Sequence, residues 1–173
     1  MRLVLAAIAV LGLSTAPFAL AQEKSANTSA QIDYRGFQHL TQEVETYRAE
    51  RLVSLADFQR MASEPNTIIL DARSADRYAV GHIDGAINLP FTDFTDQSLS
   101  ETLHDPNVRI LIYCNNNFRN EELAFPGKAA RASLNLSTYI ALYSYGYTNV
   151  YELAPLKELK ESKLEFEGTS RGR

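Results

Sequence analysis

Apolar residues recur along this chain with two different periods. Between Gly36 and Arg51, Phe37, Leu40, Val44 and Tyr47 fall three, four and three positions apart, so they share one face of an amphipathic helix. Leu52-Val53 is a short strand candidate. Ser54 with Asp57 three residues on resembles a capping box, opening a helix that carries Leu55, Phe58 and Met61. Thr67-Ile68-Ile69-Leu70 is a continuous β-rich run, the pattern of a strand buried on both faces. Ser74 starts a short helix that Gly81 stops, and Ala86 to Leu89 forms a further strand closed by Pro90. A helix is expected around Thr92 to Leu103, and Val108 to Tyr113 is the most apolar strand of all, ending directly in Cys114. A polar stretch, Asn115 to Asn135, leads to a helix over Leu136 to Tyr145 that Gly146 terminates. Asn149 to Leu153 is a last strand, and Pro155 is expected to start a charged final helix. β-rich runs separated by helices predict βα units on a mostly parallel sheet.

The beginning of the chain follows different rules. Met1 and Arg2 precede an uncharged run from Leu3 to Leu13, and Ala19-Leu20-Ala21 supplies small residues at the positions a signal peptidase reads. That layout predicts a secretory signal peptide cut after Ala21, and hence export to a periplasm. Eleven apolar residues are too few to span a membrane, which takes around 20. Once the signal is removed no run is apolar enough to do so, and no membrane association is expected.

Composition narrows the chemistry. A formal charge of −4 and the absence of any block of basic residues argue against a nucleic-acid partner. A single cysteine excludes an internal disulfide and a multi-thiolate zinc site. The three histidines, His39, His82 and His104, are scattered with no i, i+4 pair, so no metal site is expected. Cys114 is therefore inert and buried, paired with another chain, or kept for a reaction.

Position favours reaction, because ligands of open α/β sheets sit beyond the carboxyl ends of the strands. The residues after the thiol, Asn115, Asn116, Asn117, Phe118 and Arg119, suit an anion cradle. Asparagine tolerates tight-loop backbone angles, backbone N–H groups of such a turn favour a thiolate, and Arg119 adds a permanent charge.

Three blocks of the sequence resemble the rhodanese-like family. Leu70-Asp71-Ala72-Arg73, Tyr78 and the run Gly81-His82-Ile83-Asp84-Gly85-Ala86-Ile87-Asn88-Leu89-Pro90 match its front half. Ile110 to Cys114 matches its active-site strand and nucleophile, and Gly146 to Leu153 its closing strand. The resemblance implies an α/β fold with a mostly parallel central sheet flanked by helices on both faces. It also implies a sulfurtransferase that accepts sulfane sulfur on Cys114 as a persulfide, without metal or organic cofactor. Its partners would be a small sulfur-containing anion or persulfide donor and a thiol acceptor. Asp71 and Arg73 are expected to form a hydrogen-bonded pair that orients the loops beneath the site. The organisation that follows is 1–21 signal peptide, 22–50 lead and amphipathic helix, 51–162 rhodanese-like domain and 163–173 tail.

The chain departs from the family between Cys114 and Gly146, where about fifteen residues are inserted within Asn120 to Asn135. The cradle is expected at Asn115 to Arg119. Arg131-Ala132-Ser133 is a second candidate for its closing step, with Arg131 and Lys128 as further anion contacts. Phosphatases of the same fold need arginine six positions after the cysteine, and position 120 is asparagine. The alternative to an enzyme is a non-catalytic rhodanese-like binding or sensing module.

Overall fold

The computed structural model describes residues 31–169, and the fold is carried by the unit that starts at Asp33. The expected signal peptide lies outside the described residues. Helix α1 (Tyr34–Ala49) is capped by Asp33, whose carboxylate accepts from the Gly36 N–H at 2.8 Å. Then come β1 (Leu52–Val53), α2 (Leu55–Ala62), β2 (Thr67–Asp71), α3 (Ala75–Val80), β3 (His82–Ile83) and β4 (Ala86–Asn88). They are followed by α4 (Asp96–Leu103), β5 (Arg109–Tyr113), β6 (Phe118–Arg119), α5 (Leu134–Ser144), β7 (Val150–Leu153), β8 (Lys157–Glu158) and β9 (Phe166–Glu167). Ser54 caps α2 by accepting from Asp57 N–H, and Thr95 caps α4 in a reciprocal box with Ser98.

Five strands form one parallel sheet in the order β1-β7-β5-β2-β4. Side chains of a strand point alternately to its two faces, so each central strand feeds two cores. Ile110 and Ile112 pack with Leu70 and Val150 against α1, α4 and α5, through Val44, Leu99, Leu103, Tyr139 and Leu142. Leu111 and Tyr113 pack with Ile69 and Leu153 on the other face, against Phe58 of α2, Phe118 of β6 and Phe125 of the inserted segment. A strand buried on both faces has little room for charged side chains, which is why β5 reads as an apolar run from Ile110 to Tyr113 once past Arg109.

A charged inward position of the sheet recruits α1. Glu152 of β7 lies opposite Ile112 and is buried on the α1 face. Arg48 of α1 meets its carboxylate with two bonds, Nε at 2.5 Å and Nη2 at 2.7 Å. Tyr47 and Tyr143 add an edge contact at 5.2 Å between α1 and α5. Phe37, expected on the buried face of α1, is half exposed because the helix contacts the core through its C-terminal half.

Two expectations about the end of the chain need correction. Among the described residues no α-helix follows Pro155. Lys157–Glu158 pairs with β6 as β8, a single 3-10 turn spans Leu159–Glu161, and β9 pairs antiparallel with β3. Phe166 decides this geometry, because its ring packs on Phe118 and Phe125 at 5.3 and 5.9 Å, and one aromatic anchor outweighs the weak helix preference of a short charged run. Residues 163–169 are thus folded on the domain. Among the described residues, no helix is long and apolar enough to cross a membrane.

Removing one partner of the Arg48–Glu152 pair leaves the other without its counter-charge. Arg48 keeps a quarter of its side chain in solvent, which places the cost of Arg48→Met at about 2 kcal/mol in urea unfolding. Glu152→Gln, which keeps a hydrogen-bond acceptor, should cost less.

Candidate active site

The site is built where β5 ends. Cys114 is extended (φ −148°, ψ −172°), and Asn115–Asn117 then turns in a short 3-10 helix. The turn is closed reciprocally: the Cys114 sulfur accepts from Asn116 N–H at 3.4 Å, and the Asn117 side-chain oxygen accepts from Cys114 N–H at 2.9 Å. The Ser133 hydroxyl, at the start of α5, stands 3.4 Å from the sulfur. Only 1% of Cys114 is exposed.

The three asparagines serve as pegs for the chain around the thiol. Asn115 donates to Pro126 O at 2.9 Å. Asn116 grips Lys128 twice, donating to its carbonyl at 2.9 Å and accepting from its N–H at 3.0 Å. Asn117 donates to Leu153 O at 2.6 Å, and Asn135 of α5 donates to Asn117 at 3.3 Å. An amide carries both donor and acceptor, so one side chain can satisfy a passing peptide group completely. The inserted segment is thereby fastened across the thiol.

The structure does not bring all the expected cradle residues together. Phe118 is buried in an aromatic cluster, 4.8 Å from the Phe125 ring and 6.1 Å from Tyr113. Arg119 lies on β6 and reaches Glu158 at 3.6 Å. The physical reason is strand pairing: β6 aligns with β8, which draws the chain away after three residues and ends the turn there. Ser133, from the second candidate segment, supplies the hydroxyl instead. Arg131 is exposed and lines a separate groove with Phe37, Leu136 and Tyr145. Asn135 was not a candidate, since nothing in its sequence neighbourhood ties it to residue 117.

Beneath the loop lies a buried ion pair. Asp71 (0% exposed) ends β2, and Arg73 (2%) folds back on it with Nε at 2.9 Å and Nη2 at 2.5 Å. Arg73 also donates to Ala124 O at 2.9 Å and Gly81 O at 2.8 Å, while its guanidinium stacks 4.2 Å from the Phe125 ring. The Tyr113 hydroxyl donates to Asp71 at 2.5 Å and accepts from Ile83 N–H at 3.1 Å. Burial and the Asp71 charge push that hydroxyl well above its usual range, so it stays a neutral donor. Burial opposes the Arg73 charge, and the bonds from Asp71 overcome it, leaving the guanidinium more firmly protonated than usual.

A cleft of about 370 Å³ opens beside the loop, walled by Arg73, Arg77, Phe91, Asn115, Pro126 and Lys128. His82 is occupied elsewhere: its ring stacks on Tyr78 at 3.6 Å and bonds Tyr78 O at 2.8 Å. Among the described residues no group of three or more His, Cys, Asp or Glu could hold a metal ion.

Arg73→Met would leave a carboxylate buried without its cation, and the expected loss in urea unfolding is about 3–5 kcal/mol. Asp71→Asn combined with Arg73→Met removes both charges and should recover part of that loss. A double variant less stable than Arg73→Met would show that the pair is not the organising charge of this region.

Comparison with known proteins supplies the wider setting. The family model of the rhodanese-like domain matches residues 54–154. The chain is 26% identical over 118 residues to the tRNA uridine(34) hydroxylase of Buchnera aphidicola, covering 65% of this chain and 33% of that protein. It is 35% identical over 78 residues to the tRNA uridine(34) hydroxylase of Sodalis glossinidius, covering 43% and 20%. The chain thus spans a third or less of the length of these curated relatives. The BH2092 protein from Bacillus halodurans superposes with a TM-score of 0.51 at 17% identity, over 77% of this chain and 88% of that one, a likeness of fold alone. A parallel sheet in the order β1-β7-β5-β2-β4, a cysteine at the end of its central strand, and a family match over more than half of the sequence lead to one conclusion: this chain belongs to the rhodanese-like domain family.

Proposed function

We propose that the domain is a sulfurtransferase carrying sulfane sulfur on Cys114. The observation that carries this reading is the setting of the sulfur, 3.4 Å from both the Asn116 N–H and the Ser133 hydroxyl at the carboxyl edge of the sheet. In the first half-reaction the Cys114 thiolate attacks the outer sulfur of thiosulfate or of a persulfide donor. A new S–S bond forms, the donor's S–S bond breaks, and sulfite or the donor thiolate leaves with the electron pair. In the second, an acceptor thiolate attacks the outer sulfur of the Cys114 persulfide and the cysteine thiolate is returned. Electrons balance within each half, so no external oxidant or reductant enters. Two preorganised donors beside the sulfur stabilise the anionic forms, and a thiol 1% exposed shelters the persulfide from bulk solvent.

The same burial favours a second reading, a module that binds a partner without turnover. The tRNA in the names of the curated relatives does not extend readily to this chain, whose formal charge is −4. The signal-like start supports action after export, and the partners proposed are a small sulfur-containing anion or persulfide and a thiol.

Mass spectrometry of protein treated with thiosulfate or a persulfide should show one added sulfur on Cys114, and cyanide should then release thiocyanate. Cys114→Ser should show neither. Ser133→Ala, losing one hydrogen bond to a charged group, should slow loading about ten- to a hundredfold. Unchanged mass with every donor would leave the binding module as the surviving reading.

A further inference from the structure

Helix α1 lies outside the rhodanese-like match, which begins at residue 54. It brings to the sheet one fully buried apolar residue, Val44, and one charge, Arg48, which meets the buried carboxylate of Glu152. Where that pair stands on the sheet matters. Glu152 is opposite Ile112 in the register of β5 and β7. Cys114 follows Ile112 by two positions, and its backbone is still extended. Side chains two apart on an extended strand share a face, roughly 6–7 Å from one another. Ile110, Ile112 and the thiol therefore look toward α1 and α5, in keeping with the Ser133 hydroxyl at the start of α5, 3.4 Å from the sulfur. Arg48 and Glu152 form an ion pair on the thiol's own face, one step back along the strand. Asp71 shares the opposite face with Tyr113, whose hydroxyl it accepts.

The other charged and titratable groups around the thiol are differently engaged. Burial raises the Tyr139 hydroxyl of α5, which stays neutral and donates to Val150 O at 3.1 Å. Arg51 is turned onto the Tyr47 ring, 3.6 Å from its centroid. Lys128 and Arg131 of the inserted segment are exposed, and Arg73 is bound to Asp71 beneath the loop. The Arg48 side chain has only 25% of its surface in water, so its charge is less screened than theirs. The bond from Glu152 raises Arg48 above its usual range against the cost of burial, and the negative forms of Glu152, Tyr139 and Cys114 add to the rise. Attraction between two charges is mutual, so a guanidinium favoured by a thiolate favours that thiolate in turn.

We propose that Arg48 is a positioning residue for the reactive sulfur: α1 carries its guanidinium to the thiol's face of the sheet, where it favours the Cys114 thiolate, while Glu152 both holds it and limits its effect. That the thiolate then accepts sulfur rests on the sulfur-transfer reading; the electrostatic coupling does not.

Ultraviolet thiolate absorbance follows the titration of Cys114 in the full chain, each variant being read against its Cys114→Ser counterpart to remove the tyrosines. Arg48→Met should move the midpoint up by about one pH unit. Glu152→Gln, which leaves Arg48 without its counter-charge, should move it down. Arg48→Lys, which keeps the charge, should stay near the parent protein, and the double variant Arg48→Met with Glu152→Gln should fall between the two single ones. Loosened packing would admit water to the thiol in every variant and shift all of them in one direction, so opposite signs separate charge from structure. Should Arg48→Met fail to fold, Glu152→Gln decides alone, because a bared cation can only lower the midpoint. Below the midpoint, Arg48→Met should slow loading from thiosulfate about threefold, the loss of thiolate being partly offset by its greater nucleophilicity, and the deficit should vanish at alkaline pH. Anything other than opposite shifts in Arg48→Met and Glu152→Gln would overturn the proposal, and sulfur gain on Cys114 would leave the transfer reading intact. Opposite shifts in a protein that gains no sulfur from any donor would support the coupling and overturn the transfer reading.

Discussion

A carboxylate and a guanidinium sealed from water hold this domain's working edge together. Taking either charge into the interior alone would cost several kcal/mol, so Asp71 and Arg73 have little choice but to face each other. Their remaining hydrogen-bonding capacity then has to be met by whatever surrounds them. Asp71 takes the hydroxyl of Tyr113, the residue before the reactive cysteine. Arg73 takes the carbonyls of Gly81 and Ala124. Asn88 closes the ring by donating to the carbonyls of both Asp71 and Arg73, at 2.9 Å each. The ends of β2, β4 and β5, the turn into β3 and the inserted segment are thus registered on one buried charge pair.

The insertion uses that pair as its foundation. Phe125 lies on the Arg73 guanidinium and enters an aromatic cluster with Phe118 and Phe166, while Asn115 and Asn116 hold Pro126 and Lys128. A polar loop is attached through one aromatic anchor and a row of amide pegs. The thiol is buried, and Asn115, the residue after it, lines the cleft that the insertion helps to wall.

Much of the fold was legible in the sequence, because periodicity reports burial directly. Phe58, Leu70 and Ile112 lie in the cores that their pattern indicated. The Asp71–Arg73 pair was expected as well, from the Asp-x-Arg step of the family resemblance. What escaped were the two-residue strands β3, β6, β8 and β9, which have no period to read. Each exists because a partner distant in sequence offers unpaired backbone groups or an aromatic ring.

The same division holds at the site. Sequence alone determined that the sulfur stands at the end of the most apolar strand, since strand length and alternation are local properties. Which groups surround that sulfur was decided in three dimensions. β6 pairs with β8 and carries Phe118 and Arg119 away, and the return of the insertion brings Ser133 to the thiol from nineteen residues downstream. Amide pegs such as Asn116 to Lys128 depend on where two backbones come to lie. No local pattern encodes that, because the energy of such a bond is realised only after the sheet and the buried pair have set the positions.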